Sequence, residues 1–509
     1  MKAAAVPQLV LGSARLLIAD LVAVAVNRAP VQVAPEVYPR LHAARAVVDA
    51  LAGSSTPVYG VNSALGANTG QALAANDLAD YQSRAVLARA VGVGPAYDAV
   101  SVRAMLLARV AGLRIGGSGV SVAVLDGLVA LLNAQVHPQV PRWGSISAAD
   151  LPQLASLALP LLGQGQAEWQ GQVWSGAEAL RRAGLTPIAL APKDGLCLVS
   201  ANAATVGRAA LVLDDARRLL GQWLAVVALS YEGFRANLSP LDPRAVQARP
   251  APGQASVAAE LRRLLGGSAL WQTGTARRLQ DPLSLRCVAQ VHGAAQALLD
   301  EAVAQVETEL NSAADSPLVC LADEGGGSGT LLSNGNFHIP GLALAFDALA
   351  MALSQVTTLA VERCIKFMSP DFTGLPLQLT RHGPAHSGFA TAQKTLTALA
   401  NEVRQRANPA SLDFLPVSER VEDHATMALA CVEKLAESLE RARYVAAIEW
   451  VIAAQAVDLR GLDHATLGQG PARMQRALRA EVAMLDGDRA LGVDFEAAQV
   501  LLRVAQDLP

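Results

Sequence analysis

Histidine pairs, cysteines, glycine-rich turns and isolated tyrosines or arginines are the residues of this chain whose types and spacing could do chemistry. His382 and His386 have the four-residue spacing that puts two zinc ligands on one helical face. Gly383 and Pro384 lie between them, and proline clashes inside a helix, so no metal site is expected. The five cysteines contain no Cys-x-x-Cys pair. Neither a zinc pattern nor a disulfide framework follows, and the thiols read as apolar fillers in a reducing compartment. The run Glu324 to Gly329 is glycine-rich but lacks a Gly-Lys-Ser/Thr ending, so it is a surface connection rather than a phosphate loop. Tyr59, taken alone, is a loop tyrosine with its hydroxyl in water. A phenol with a pKa of about 10 is a poor base unless nearby positive charge or a tight hydrogen bond lowers it. Arg286 alone is a surface or salt-bridge arginine, although a guanidinium also offers a two-pronged fork for a carboxylate. Arg89 reads as an ion pair to a neighbouring helix and Glu422 as a helix cap or core ion pair.

The elements that must position these side chains are helices. Ala, Leu, Arg, Glu and Gln dominate, all strong helix formers, and apolar residues recur at three- and four-residue spacing, as from Leu435 to Val457. Gly/Pro/Asn/Ser clusters at Thr56 to Gly70, Val140 to Leu151, Leu238 to Gly253 and Asp323 to Gly335 mark loops. Sites in all-helical proteins form where loops and helix ends converge, which directs attention to Tyr59, Ala148 and Asn336. At 509 residues, with 52% hydrophobic and 17% charged side chains, the chain can bury a large core. Lys+Arg 41 against Asp+Glu 44 argues against a nucleic-acid binder. The apolar stretch Ile339 to Val361 is long enough to span a bilayer, but it carries Asp347, Ser354, Gln355, Thr357 and Thr358. A buried helix in a bundle or oligomer explains it better, and no membrane partner is expected. Arg15 and Asp20 interrupt the apolar N-terminus, so a signal peptide is not expected and a cytoplasmic location is.

Several segments together resemble the histidine and aromatic amino-acid ammonia-lyases, which carry a methylideneimidazolone (MIO) electrophile. Val58 to Gly66, reading Val-Tyr-Gly-Val-Asn-Ser-Ala-Leu-Gly, is similar to that family's tyrosine loop. Gln280-Asp281-Pro282-Leu283-Ser284-Leu285-Arg286-Cys287, with Gln290-Val291-His292-Gly293, resembles its Gln-Asp-Pro-Tyr-Ser-Leu-Arg-Cys block. Asn311 to Val319, Gly335-Asn336-Phe337-His338 and Glu422-Asp423-His424 match further motifs, the last that of the histidine branch, all in family order. The resemblance implies a mostly α fold, an elongated helical bundle of the ammonia-lyase/fumarase-like type. It also implies a loop-rich N-terminal active-site domain (1–200), a central and C-terminal bundle (201–509), and a homotetramer with active sites shared among subunits.

One departure dominates. The family cyclises an Ala-Ser-Gly tripeptide into MIO. Between Gly144-Ser145-Ile146 and Asp150-Leu151 this chain has Ser147-Ala148-Ala149, one residue fewer than the family's loop. Counting back from Asp150 puts Ala148 at the serine position, and its methyl has no hydroxyl to lose. Ala149 adds a Cβ where glycine would bend tightly. The asparagine that supports the MIO carbonyl is Ser200, the tyrosine of the Asp-Pro-Tyr block is Leu283, and the histidine before Ala-x-Gly-x-Gly is Arg89. No MIO, and no other cofactor, is expected.

By the same resemblance Tyr59 is the catalytic base and Arg286 and Asn336 hold a substrate carboxylate. Gln280 is a polar wall residue, and Glu422 is an acid near the amino group. Arg89 lies where the family reads the distal end of the substrate, suggesting a distal carboxylate, phosphate or carbonyl. The expected function is MIO-independent acid–base elimination, addition, isomerisation or cyclisation on a small carboxylate. Such groups supply about a hundred- to ten-thousand-fold each, enough for activated substrates only. Two alternatives stay open: an inactive homologue that binds, senses or scaffolds, and an ammonia-lyase whose electrophile forms one register away, from Ile146-Ser147-Ala148.

Overall fold

The computed structural model describes residues 7–54, 57–64, 71, 73, 75–321 and 329–504. Leu65 and Gly66 of the tyrosine loop and residues 324–328 of the glycine-rich run lie outside them. Most described residues are helical, with a few two- to four-residue strands. The chain divides into two compact units, each assembled from three separated segments.

The first unit comprises Met1–Asp214, Ala302–Leu344 and Ala410–Val432. At its centre runs the helix Ala99–Leu113, capped by the Asp98 carboxylate on the Ser101 amide and buried at every position from Ser101 onward. Burying a helix on all sides requires that its polar residues be satisfied. Arg103 donates to the carbonyls of Val24 and Leu132. Arg109 forms a buried 2.6 Å ion pair with Asp315 and also donates to the Cys197 carbonyl. That pair fastens the Asn311 to Val319 segment to the central helix. At Gly207, on the helix Ala203–Phe234, a Cβ would come within 2.6 Å of the Ala104 backbone. Glycine therefore permits a crossing that any side chain would block.

The second unit comprises Asp215–Glu301, Ala345–Pro409 and Glu433–Pro509. Its core encloses the fully buried Arg363–Glu449 pair, bonded through both carboxylate oxygens at 2.6 and 2.9 Å. Trp223 and Ser230 donate to the same carboxylate at 2.9 and 2.8 Å. A buried carboxylate held this way has its lone pairs matched, which is the condition for tolerating the charge.

The apolar stretch at Ile339 to Val361 falls in the helix Pro340–Phe367, one of two helices among the described residues that are long and apolar enough to cross a membrane. Phe346, Leu349, Leu353 and Val356 are buried, whereas Leu344 and Met351 face outward. His382 and His386 flank a single 3-10 turn, Gly383–Ala385, as the glycine and proline require. Their imidazoles lie 3.0 Å from Asp486 and 3.8 Å from Asp488. No cluster of three or more metal-ligating side chains occurs among the described residues.

Candidate active site

Tyr59 sits on a loop that holds itself rigid. The Asn62 side chain accepts the Val58 amide at 2.6 Å and donates to the Ser54 carbonyl at 2.9 Å. Gly60 takes a left-handed φ of 72°, and its carbonyl receives Gln82 Nε2. Val61 is driven into a cluster with Ala44, Val48 and Val319, which leaves Tyr59, on the other side of the turn, 37% exposed. Gln82 continues the support inward by accepting the Gly195 amide at 2.9 Å. Gly195 belongs to the short helix Asp194–Val199, which ends at Ser200.

The next residue, Ala201, accepts the Asp150 amide at 2.8 Å, joining Ser200 to the shortened loop. Asp150 is fully buried and has no salt-bridge partner among the described residues. Its carboxylate accepts the Thr205 amide at 2.7 Å, the Thr205 hydroxyl at 2.9 Å and the Ser145 hydroxyl at 2.7 Å. Burial pushes its pKa up, and these donors oppose the push. Ser147 and Ala149 adopt left-handed φ values of 58° and 63°, a conformation that costs an L-residue about 1–2 kcal/mol. Ser147 is fully buried. Its hydroxyl accepts the Leu429 amide at 3.0 Å and lies 3.5 Å from Asp150 Oδ1 and 3.4 Å from Thr205. The Ile146 and Ser147 carbonyls accept from the Met427 amide and the Thr426 hydroxyl. The loop is thus sewn to the start of the helix Ala428–Arg460, with Ser147 acting as a cap from a distant part of the chain.

Ala148 makes an antiparallel bridge with His338, and Asn202 donates to the Phe337 carbonyl. His338 Nε2 is 2.7 Å from His424 Nδ1. Glu422, half-buried, is two residues before His424 and bridges to Val417. Asn336 is exposed; its amide donates to Asn334 Oδ1 at 2.8 Å. Arg89 is half-buried beyond the helix Ala75–Leu87 and donates to the Ala85 carbonyl at 2.9 Å. Hydrogen bonds and strand bridges therefore connect Tyr59, through Ser200, to Ala148 and on to Glu422 within the first unit.

Gln280 and Arg286 belong to the second unit. Gln280 is exposed, and Arg286 ends the short helix Leu283–Arg286, half-buried. That helix is fixed by buried donors: Arg363 Nη1 to the Ser284 carbonyl at 2.9 Å, and the Tyr231 hydroxyl to the Leu285 carbonyl at 2.7 Å. Leu283 is exposed.

The sequence reading passed over Asn202, Thr205 and Phe414. Asn202 and Thr205 follow Ser200 so closely that their polar character was the available signal. Phe414, whose ring lies 5.5 Å from that of His424, gives none until the chain folds.

The family model for aromatic amino acid lyases matches residues 16–481. The histidine ammonia-lyase of Sorangium cellulosum is 39% identical over 494 residues, covering 96% of each chain. That of Symbiobacterium thermophilum is 37% identical, covering 96% of this chain and 95% of its own. Among solved structures, the ergothioneine-degrading enzyme ergothionase from Treponema denticola, in complex with desmethyl-ergothioneine sulfonic acid, superposes with a TM-score of 0.93. It is 32% identical and covered over 98% of its length, against 97% of this chain. A match of this extent makes the chain a member of the aromatic amino acid lyase family.

Proposed function

We propose that this lyase works without MIO and eliminates a tertiary amine from a small carboxylate-bearing betaine of the ergothioneine type. The observation that carries the reading is at residues 147–149. Ala148 has no hydroxyl to lose, and the neighbouring hydroxyl of Ser147 is fully buried and committed to the Leu429 amide. These residues do not fit the formation of the electrophile, in either register. Relatives named histidine ammonia-lyase favour histidine as the substrate, and the similarity to ergothionase favours ergothioneine.

Chemistry separates the two. A primary ammonium leaves poorly, which is why the family invests in an electrophile. A quaternary trimethylammonium leaves as a neutral amine and has no lone pair for an electrophile to capture. In the proposed reaction Tyr59 takes the β-proton and the released electron pair forms the carbon–carbon double bond. The carbon–nitrogen pair departs with trimethylamine, leaving an α,β-unsaturated carboxylate. Within the first unit Asn336 is assigned to the carboxylate, Ser200 to a polar wall and Glu422 to the cationic nitrogen; the motif resemblance assigns Arg286 to the carboxylate and Gln280 to a polar wall. Arg89 retains guanidinium donors beyond the one used on Ala85, suited to a sulfur or oxyanion at the distal end of the ring. The family resemblance suggests a homotetramer, in which the outward Leu344 and Met351 would suit burial against another subunit, and a cytoplasmic location suits the free cysteines.

Purified protein given ergothioneine should release trimethylamine, and Tyr59→Phe should lower that rate by about a hundred- to ten-thousand-fold. Steady ammonia release from L-histidine, or an intact mass lower by two waters, would overturn the proposal.

A further inference from the structure

Beside the shortened loop stand four aromatic rings that the elimination itself does not use. Phe337 and His338 meet with centroids 6.4 Å apart and planes at 83°. His338 and His424 follow at 4.9 Å and 59°, then His424 and Phe414 at 5.5 Å and 52°. Each ring is turned well away from the next, so the set forms inclined walls rather than a stack.

Their place in the fold is fixed from several directions. The His338 backbone bridges Ala148, so the ring run begins where the family's electrophile would meet the amine. Asn202 holds the Phe337 carbonyl. Phe337, His338 and Phe414 are half-buried and His424 is exposed, so a small ligand can reach them. The imidazoles share a hydrogen bond of 2.7 Å, which one proton satisfies. Burial, with His424 adding to it, holds His338 below the ordinary imidazole range, and the ring stays neutral at pH 7. Neutral rings attract a cation through their faces, whereas imidazolium would repel it. Glu422, two residues from His424, adds a carboxylate on the same segment.

We infer that Phe337, His338, His424 and Phe414, with Glu422 and the Ala148 methyl, form the subsite for the substrate's quaternary ammonium group. Aromatic walls are the recurring solution for such a cation, which is too bulky and too weakly hydrated to be held by hydrogen bonds. The inference rests on the betaine reading above and adds the residues that select it. It also gives the Ala148 methyl a role: it offers an apolar contact where a reactive methylene would have been wasted.

The test uses binding, not turnover. Calorimetry would compare histidine trimethylbetaine with its neutral isostere, in which the trimethylammonium nitrogen is replaced by carbon. Wild type should prefer the cation by about tenfold or more, and Phe414→Leu and Phe337→Leu should each remove most of that preference while still binding the isostere. Equal affinity of wild type for the two ligands would overturn the subsite, with no variant needed. So would an undiminished preference in both leucine variants. Charge preference without trimethylamine release from ergothioneine would support the subsite and sink the elimination. Release without charge preference would do the reverse.

Discussion

Replacing Ser147 by alanine removes a single oxygen, and the structure sets what that should cost. The oxygen is fully buried and accepts the Leu429 amide at 3.0 Å in the first turn of the helix Ala428–Arg460. First-turn amides have no partner within their own helix. The variant therefore strands a buried N–H, which costs about 1–3 kcal/mol, in line with about 0.5–2 kcal/mol for losing a helix cap. The contacts to Asp150 at 3.5 Å and Thr205 at 3.4 Å are at the limit of hydrogen-bond range and add little. Alanine gains nothing at the left-handed φ of 58°, because it carries the same Cβ. The expected loss is about 2 kcal/mol, seen as a lower urea midpoint and faster hydrogen exchange at the start of that helix. Folded variant should turn over substrate as wild type does, since the proposed elimination makes no use of the hydroxyl. An inactive variant with an unchanged urea midpoint would refute this, because Ser147 would then be a source of chemistry and not a cap.

Three further outcomes follow from the same physics. Ala149→Gly relieves a φ of 63° and, after the added chain entropy of glycine, should stabilise by about 0.5–1 kcal/mol in urea unfolding without creating an electrophile. Glu449→Ala leaves Arg363 charged in a fully buried site and strands the Trp223 and Ser230 donors; urea unfolding should show a loss of about 3–5 kcal/mol. His292 is buried with no hydrogen-bond partner at either ring nitrogen among the described residues, and burial pushes its pKa down to about 3. The folded state keeps it neutral, so its contribution is complete above the unfolded pKa of about 6.5. It is lost as pH falls from there toward 3, by about 1.4 kcal/mol per pH unit. His292→Phe should flatten that part of the acid-side slope, read from urea midpoints at pH 5 and pH 7.5.

Much of the helical framework was legible in the chain. The spacing from Leu435 to Val457 lies inside the helix Ala428–Arg460, and Gly383 with Pro384 broke the histidine pair into a single turn. Periodicity and proline act locally, so they survive without knowledge of the fold. The left-handed Ser147 and Ala149 were not legible, because local preference argues against that geometry for both. It is maintained by Thr426, Met427 and Leu429, which arrive from nearly three hundred residues away.

Sequence alone determined that residue 148 is an alanine and carries a methyl group, because a side chain's atoms are covalent facts independent of folding. It also placed Tyr59 in its motif and put arginine at position 89. Only the tertiary structure decided which segments meet at Ala148. Phe337 and His338 share one motif, His424 sits in another and Phe414 in neither, and their rings come together because the Ala148–His338 bridge and the His338–His424 hydrogen bond join these segments. Contacts between distant segments depend on packing the whole unit, and no local pattern of residues encodes them.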